Sequence, residues 1–342
     1  MTTVVRHQPT THQVQLPRRS PRKVIAALII LLGVIMLGLT VTNLFKVGPS
    51  FESMMGDFRP HLTTSSIATS RSDIAGLGAA GAEMQTKLVP AMAQQLGITP
   101  SEFSLFVAKA YPSVTAGLVS LPGIVTTFDA LVTTLDQQRA LFRSADAIPT
   151  KNLPATTVPW ALAVGGLLLM LVGGAVWIRP RAGAMVAVAV GAVLLAAPLA
   201  LSLPQKASDA DQLNRNLKPV YTAALITQSK AALMTVSAMG TQMQTAMLPA
   251  LAQQLKMTPP QLQQMLGRSF PATGAALSNL PAAVPRFQSM VTAFDSNLAN
   301  YNTLKPVSFV PIIWTMMALG LLTAVGGGVV LLWPQHKMLV VR

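Results

Sequence analysis

Met239, Met243 and Met247 stand at i, i+4 and i+8, a spacing that puts three thioethers on one face of a helix. Thioethers are ligands for copper(I). A matching stretch earlier in the chain reads Ala80, Met84 and Leu88 at the same places, so the face is apolar rather than specific for methionine. Core packing without metal is the expectation. Hydrolytic chemistry would need a carboxylate pair or a Ser/His/Asp set. Among the acidic residues, Asp136 and Asp295 occupy matching places, and they read as solvated helix positions. His61 faces Val220 in the same comparison, while His7, His12 and His336 lie near the chain ends. There is no Gly-x-Ser-x-Gly, zinc-binding HExxH or Walker sequence. The absence of cysteine excludes disulfides, thiol catalysis and cysteine metal sites. No catalytic, metal or cofactor residue is expected, and the chain is not expected to be an enzyme.

The elements that would hold such groups are unusual. Of 342 residues, 51% are apolar and 11% are charged, against about 25% charged in a soluble domain. Four uncharged apolar runs, Val24–Phe45, Val158–Ile178, Ala184–Leu203 and Val310–Trp333, are each long enough for a helix across a bilayer. The first is too long for a signal-peptide core, and Lys46-Val47-Gly48-Pro49 follows it rather than a cleavage site. Arg18-Arg19 resembles a twin-arginine signal only loosely, because Ser20-Pro21 follows. An uncleaved anchor is expected. Trp160 and Trp177 bracket the second run and Trp314 and Trp333 the fourth. In helices these pairs stand roughly 25 and 28 Å apart, the spacing of two aromatic interfacial belts.

The net charge of +14 gathers at the edges of the runs: Arg18, Arg19, Arg22 and Lys23, then Arg179 and Arg181, then Lys337 and Arg342. Basic flanks mark the cytoplasmic side, and no basic patch interleaves with aromatics as a nucleic-acid surface would. The expected order is a cytoplasmic tail (1–23), a span (24–45), an outside helical domain (46–157), a span (158–178) and a cytoplasmic turn (179–183). A span (184–203), a second outside domain (204–309), a span (310–333) and a cytoplasmic tail (334–342) follow. Every Asp and Glu falls in the two outside segments.

Those segments resemble each other. Met84-Gln85-Thr86-Lys87-Leu88-Val89-Pro90-Ala91-Met92-Ala93-Gln94-Gln95-Leu96 aligns with Met243-Gln244-Thr245-Ala246-Met247-Leu248-Pro249-Ala250-Leu251-Ala252-Gln253-Gln254-Leu255, and 249 − 90 = 159. The same offset runs without a gap from Pro60/Pro219 to Asp136/Asp295. A tandem duplication of one unit, span–helical bundle–span, is expected, both units sharing one orientation about an axis along the membrane normal. Within each bundle, Ile67, Ile74, Leu77, Met84, Leu88 and Met92 form a helical stripe that Pro90 should kink or split. Thr99-Pro100-Ser101-Glu102 and Thr258-Pro259-Pro260-Gln261 read as capping boxes. Pro112 and Pro122, with Pro271 and Pro281, should bound a short helix ahead of a last one over 124–143 and 284–300.

The fold class is therefore an all-α integral membrane protein with four transmembrane helices. The Ala-, Thr- and Leu-rich composition is of a bacterial kind, which places the chain in the cytoplasmic (inner) membrane. A non-enzymatic accessory or scaffold subunit of the cell envelope is expected. Its helical ectodomains would bind membrane lipids or a partner envelope protein, and no nucleic acid. A small transporter or lipid-handling subunit is the alternative, marked by a polar passage at the repeat interface, for which Gln94, Gln95, Gln253 and Gln254 are the candidate positions. A sensor with a separate output partner is the third reading. Glycine pairs in the spans read as close packing rather than unwound helix, and Lys206, Arg215, Lys218, Lys230, Lys256, Arg268, Arg286 and Lys305 as a basic surface.

Overall fold

A computed structural model describes residues 21–40, 44–150 and 152–333. The helices are α1 (Pro21–Leu39), α2 (Phe45–Phe58), α3 (Thr64–Glu83), a π-turn (Met84–Leu88), α4 (Val89–Gln95), α5 (Pro100–Ala110), α6 (Pro112–Asp146), α7 (Thr157–Ile178) and α8 (Pro180–Ala200). Then come α9 (Leu203–Leu217), α10 (Ala223–Gln242), a π-turn (Met243–Met247), α11 (Leu248–Gln254), α12 (Pro259–Ser269), α13 (Pro271–Ser296), α14 (Leu298–Leu304) and α15 (Phe309–Leu332). Among the described residues there is no strand, only an isolated bridge between Thr150 and Leu153.

Four described helices, α6, α7, α8 and α15, are long and apolar enough to cross a membrane, and they mark a membrane protein. The chain divides into two compact units, one holding residues 159–200 and 313–342 with the N-terminal 42, the other holding 43–158 and 201–312. In the first unit α7, α8 and α15 pack with α1 around Ala26, Ile29, Val172, Val176, Ala184, Ala187 and Val330. The expected first span, 24–45, is helical as far as Leu39, while residues 41–43 lie outside those described, as do most of the two tails. Leu31, Leu171, Val193 and Leu322 point outward without a single charged neighbour in their runs, and all four tryptophans are exposed. The Lys23 ammonium sits 5.7 Å from the ring centre of Trp177, which runs α1 antiparallel to α7.

Glycines set the spacing of this unit. A Cβ on Gly166 would lie 2.9 Å from the Gly33 carbonyl oxygen, and one on Gly191 would lie 2.5 Å from the Ala324 amide nitrogen and 2.6 Å from the Gly320 oxygen. The α1/α7 and α8/α15 pairs thus close on bare backbone. Helices α7 and α15 continue unbroken through Gly165-Gly166, Gly173-Gly174 and Gly326-Gly327-Gly328, as packing and not unwinding requires.

The second unit differs from two bundles side by side. Helix α6 packs on α10 and α9, and α13 packs on α3, so each segment contributes walls to the other. The main core mixes Phe51, Phe58, Phe128 and Leu135 with Leu213, Tyr221, Phe287, Phe294 and Tyr301. Each such side chain, fully buried, contributes about 1.5–3 kcal/mol. Helix α6 is long and apolar, but Asp129, Asp136, Arg139, Arg143 and Asp146 punctuate its second half while Ile124, Phe128, Leu131 and Leu135 enter this core. It is a core helix of this unit.

The prolines act otherwise than expected. Ahead of Pro90 and Pro249 the helix widens into a π-turn and continues, since an i→i+5 turn relieves the clash of the proline ring with the carbonyl four residues back. Pro122 does not end a helix: α6 runs through it for 35 residues. The carbonyl it strands, that of Leu118, receives the Gln85 side-chain amide at 3.5 Å. Both capping boxes form as expected. Element bounds recur at the 159 offset, α3 (64 + 159 = 223) on α10 and α5 (100 + 159 = 259) on α12.

The glycine contacts give a sharp contrast. Gly191→Ala is expected to cost about 1–3 kcal/mol through overpacking. Gly328→Ala, where an added Cβ meets nothing within 4 Å, is expected to be neutral or to gain about 0.5–1 kcal/mol from reduced backbone freedom. Thermal unfolding of the purified protein in detergent, followed by circular dichroism, reads both.

Candidate functional site

The second unit buries Glu83, Gln138, Asp211 and Asn297, and a buried polar group needs a partner or a ligand. The Glu83 carboxylate, buried at the end of α3, accepts the Thr273 amide at 2.8 Å and so caps α13. At the matching place, 83 + 159 = 242, Gln242 accepts the amides of Ser113 (2.8 Å) and Val114 (3.1 Å) and caps α6. Thr273 is itself the match of Val114, so the two contacts are reciprocal across the segments, as in a self-complementary interface. A second reciprocal pair joins Asn297 to Asp57 (2.7 Å) and Asn216 to Gln138 (2.7 Å), with 57 + 159 = 216 and 138 + 159 = 297. Phe128 lies against its own match Phe287, ring centres 4.9 Å apart, where the local pseudo-twofold must pass.

Carboxylates also hold the chain where segments end. Asp211 accepts the amides of Phe309 (2.7 Å) and Val310 (3.2 Å) and the Ser308 hydroxyl, capping α15. Its match Glu52 accepts the Ala155 amide at 2.9 Å, just before α7. Asp295 is exposed and Asp136 partly so, and both are also ion-pair partners. Arg71 and Arg139 reach Asp136 at 2.8 and 3.1 Å, and Lys230, the match of Arg71, reaches Asp295 at 2.7 Å. The basic surface is thinned in the same way, with Lys230 paired, Arg286 on Asp73 at 2.7 Å, and Lys206 donating to the carbonyls of Ala147 and Pro149. The His61 ring, half-buried beside Ser289, has its pKa lowered by desolvation. The Tyr221 phenol, stacked on Tyr301, is pushed up by burial.

Several cavities are open, the largest of those found about 890 Å³ beside Lys230, Met234 and Gln242, and two of them lie at matched places. The first, about 280 Å³, lies among Met84, Leu88, Met92, Phe103, Val107, Leu118 and Val119 of the first segment and Met243 and Met247 of the second. The second, about 610 Å³, is lined by Gln244, Leu248, Leu262, Gln263, Leu266, Gly274, Leu277 and Ser278, each the 159-offset match of a residue lining the first, together with Pro249, Pro259, Pro271 and Pro281. Neither lining includes an ionisable residue. The first is thioether-rich and apolar; the second is open, amide-lined and without methionine. The face Met239-Met243-Met247 is buried in the core shared with Met84, Met92 and Phe103.

Gln94, Gln95, Gln253 and Gln254 are exposed on α4 and α11 and line neither cavity, so the interface between segments is built from other groups. A search at the 159 offset for identical residues passes over Glu52/Asp211, Glu83/Gln242, Asp57/Asn216 and Gln138/Asn297. Admitting chemically similar pairs, acid with acid, acid with amide or amide with amide, recovers all four. No protein-family model, curated protein or solved structure matches the chain significantly.

The cross-segment caps give a directional test. Glu83→Ala leaves a buried amide unsatisfied and is expected to cost about 1–3 kcal/mol. Glu83→Gln, which installs the residue used at the matching place, is expected to retain most of the cap. Urea unfolding of the detergent-purified protein, monitored for the two variants side by side, checks the order.

Proposed function

We propose that the chain is a non-enzymatic subunit of the bacterial cytoplasmic membrane, a scaffold whose helical unit faces the cell exterior and binds a partner envelope protein or lipid. The observation behind this reading is the fate of the acidic residues. Every Asp and Glu other than Asp129 is engaged. Glu52, Glu83, Glu102 and Asp211 hold backbone amides. Asp57 and Asp209 hold side-chain amides, and Asp73, Asp136, Asp146 and Asp295 hold cations. Groups suited to proton transfer are committed to building the interlocked unit, and the two matched cavities carry no charged side chain.

In this reading α1, α7, α8 and α15 are the four spans and the two segments descend from a tandem duplication, which the recurring offset supports. Arg22 and Lys23 in the first turn of α1, and Arg179 and Arg181 at the turn from α7 into α8, favour both termini in the cytoplasm. The cysteine-free sequence makes the test clean. Single cysteines at exposed Gln94 and Gln254 are expected to react in intact cells with a membrane-impermeant maleimide, and one at Arg181 only after permeabilisation. The reverse pattern sinks the orientation. Purification in mild detergent with mass spectrometry of what travels along is expected to return a stoichiometric protein or lipid. An enzymatic turnover abolished by an Asp or Glu variant that still folds would overturn the non-enzymatic reading.

A further inference from the structure

The two matched cavities act as controls for each other. Both sit between the π-turn and following short helix, the next helix, and the start of a long helix, and the first alone draws wall residues, Met243 and Met247, from the other segment. Where wall positions are shared, differences between matched residues show what the fold accepts there. Val119 is 76% exposed on the wall of the first cavity. Its match Ser278 is exposed on the wall of the second, its hydroxyl bonded to the Gly274 carbonyl at 3.0 Å. Ser104 of the first is replaced by Gln263 in the second, and Met92 by Leu251. The fold tolerates a long amide and a hydroxyl at this mouth, yet the first cavity keeps the smaller Ser104 and the apolar Val119 there.

We infer that the first cavity, between Met84, Met92, Phe103, Val119, Met243 and Met247, is a binding site for the hydrocarbon chain of a single-chain amphiphile, a fatty acid or its monoacyl ester. Its size supports one chain. An apolar cavity of roughly 150 Å³ accepts a benzene, so about 280 Å³ accommodates roughly twice that number of carbons, about ten or eleven methylenes. A diacyl lipid has no place for its second tail. The lining chemistry supports a flexible apolar guest. Four unbranched thioethers from two segments adjust to a chain without a fixed shape, and no charged side chain would be stripped of water to admit it. Gln85, Ser104 and Thr115 are the only polar side chains on the wall, suited to a head group left in water. The site rests on the binding-module reading but not on the orientation or on any protein partner.

The experiment uses the full chain in nanodiscs with a decanoic acid bearing a terminal diazirine, irradiated and mapped by mass spectrometry. Label is expected on peptides carrying Met84, Met92, Val119 and Met247, displaced by excess unlabelled decanoic acid. Ser104→Gln with Val119→Ser, which installs at two exposed positions the residues of the second cavity, is expected to reduce that label by about tenfold through loss of apolar contact. Gln263→Ser with Ser278→Val in the second cavity is expected to leave it unchanged. Equal label in both cavities overturns the proposal, as does label confined to α1, α7, α8 and α15. Unaltered label in a Ser104→Gln/Val119→Ser protein that retains its circular dichroism and melting profile overturns it too. A protein partner recovered from the membrane alongside an unlabelled cavity would keep the scaffold reading and remove this one.

Discussion

The helical unit depends on the exchange of buried caps between its two segments. A helix starting with proline, as α6 and α13 do, brings amides into the core with no intrahelical acceptor. Each is met by the last α-helical residue of the other segment's third-helix equivalent, Gln242 for α6 and Glu83 for α13. Because the exchange is mutual, neither segment completes its core alone. The apolar contacts follow the same logic: Leu135 and Phe128 enter one cluster with Phe287 and Phe294, and Met84 enters another with Met239 and Met243.

The unit of α1, α7, α8 and α15 obeys a different rule. In lipid, apolar side chains gain nothing by turning inward, so helices associate through shape and close approach. Bare backbone at Gly33 and Gly166, and at Gly191 and Gly320, brings the helices together, while leucines and valines point out. In the helical unit a glycine device recurs at matched places: a Cβ on Gly81 would strike the Leu121 side chain at 2.5 Å, and one on its match Gly240 would strike Leu280 at 2.3 Å. There it serves a hydrophobic core instead of a lipid-exposed pair.

The two cavities show how similar local chains part in surface chemistry. Their matched helices share caps, π-turns and prolines, so the openings sit at matched places. What differs is a handful of wall residues. Thr115 against Gly274 changes how closely the walls meet, since a Cβ on Gly274 would lie 2.9 Å from Gly267. Val119 against Ser278 changes whether the mouth prefers hydrocarbon or water.

By itself the sequence determined everything governed by short-range or periodic rules. The helices of the membrane unit follow from long uncharged runs, both capping boxes from Thr-Pro-x-Glu and Thr-Pro-x-Gln, and the recurring elements from the 159 offset. These are legible because hydrophobic periodicity and cap geometry act within a few residues. The tertiary structure decided the rest. Whether Pro122 ends a helix depends on whether the carbonyl it strands finds a donor, and that donor, Gln85, is 33 residues away by hydrogen bond. Whether Asp136 is also ion-paired across helices depends on Arg71 arriving from α3, and whether Gln94 or Met247 lines a cavity depends on which face the other segment covers. Partners of this kind are chosen by packing in space, which a one-dimensional pattern does not encode.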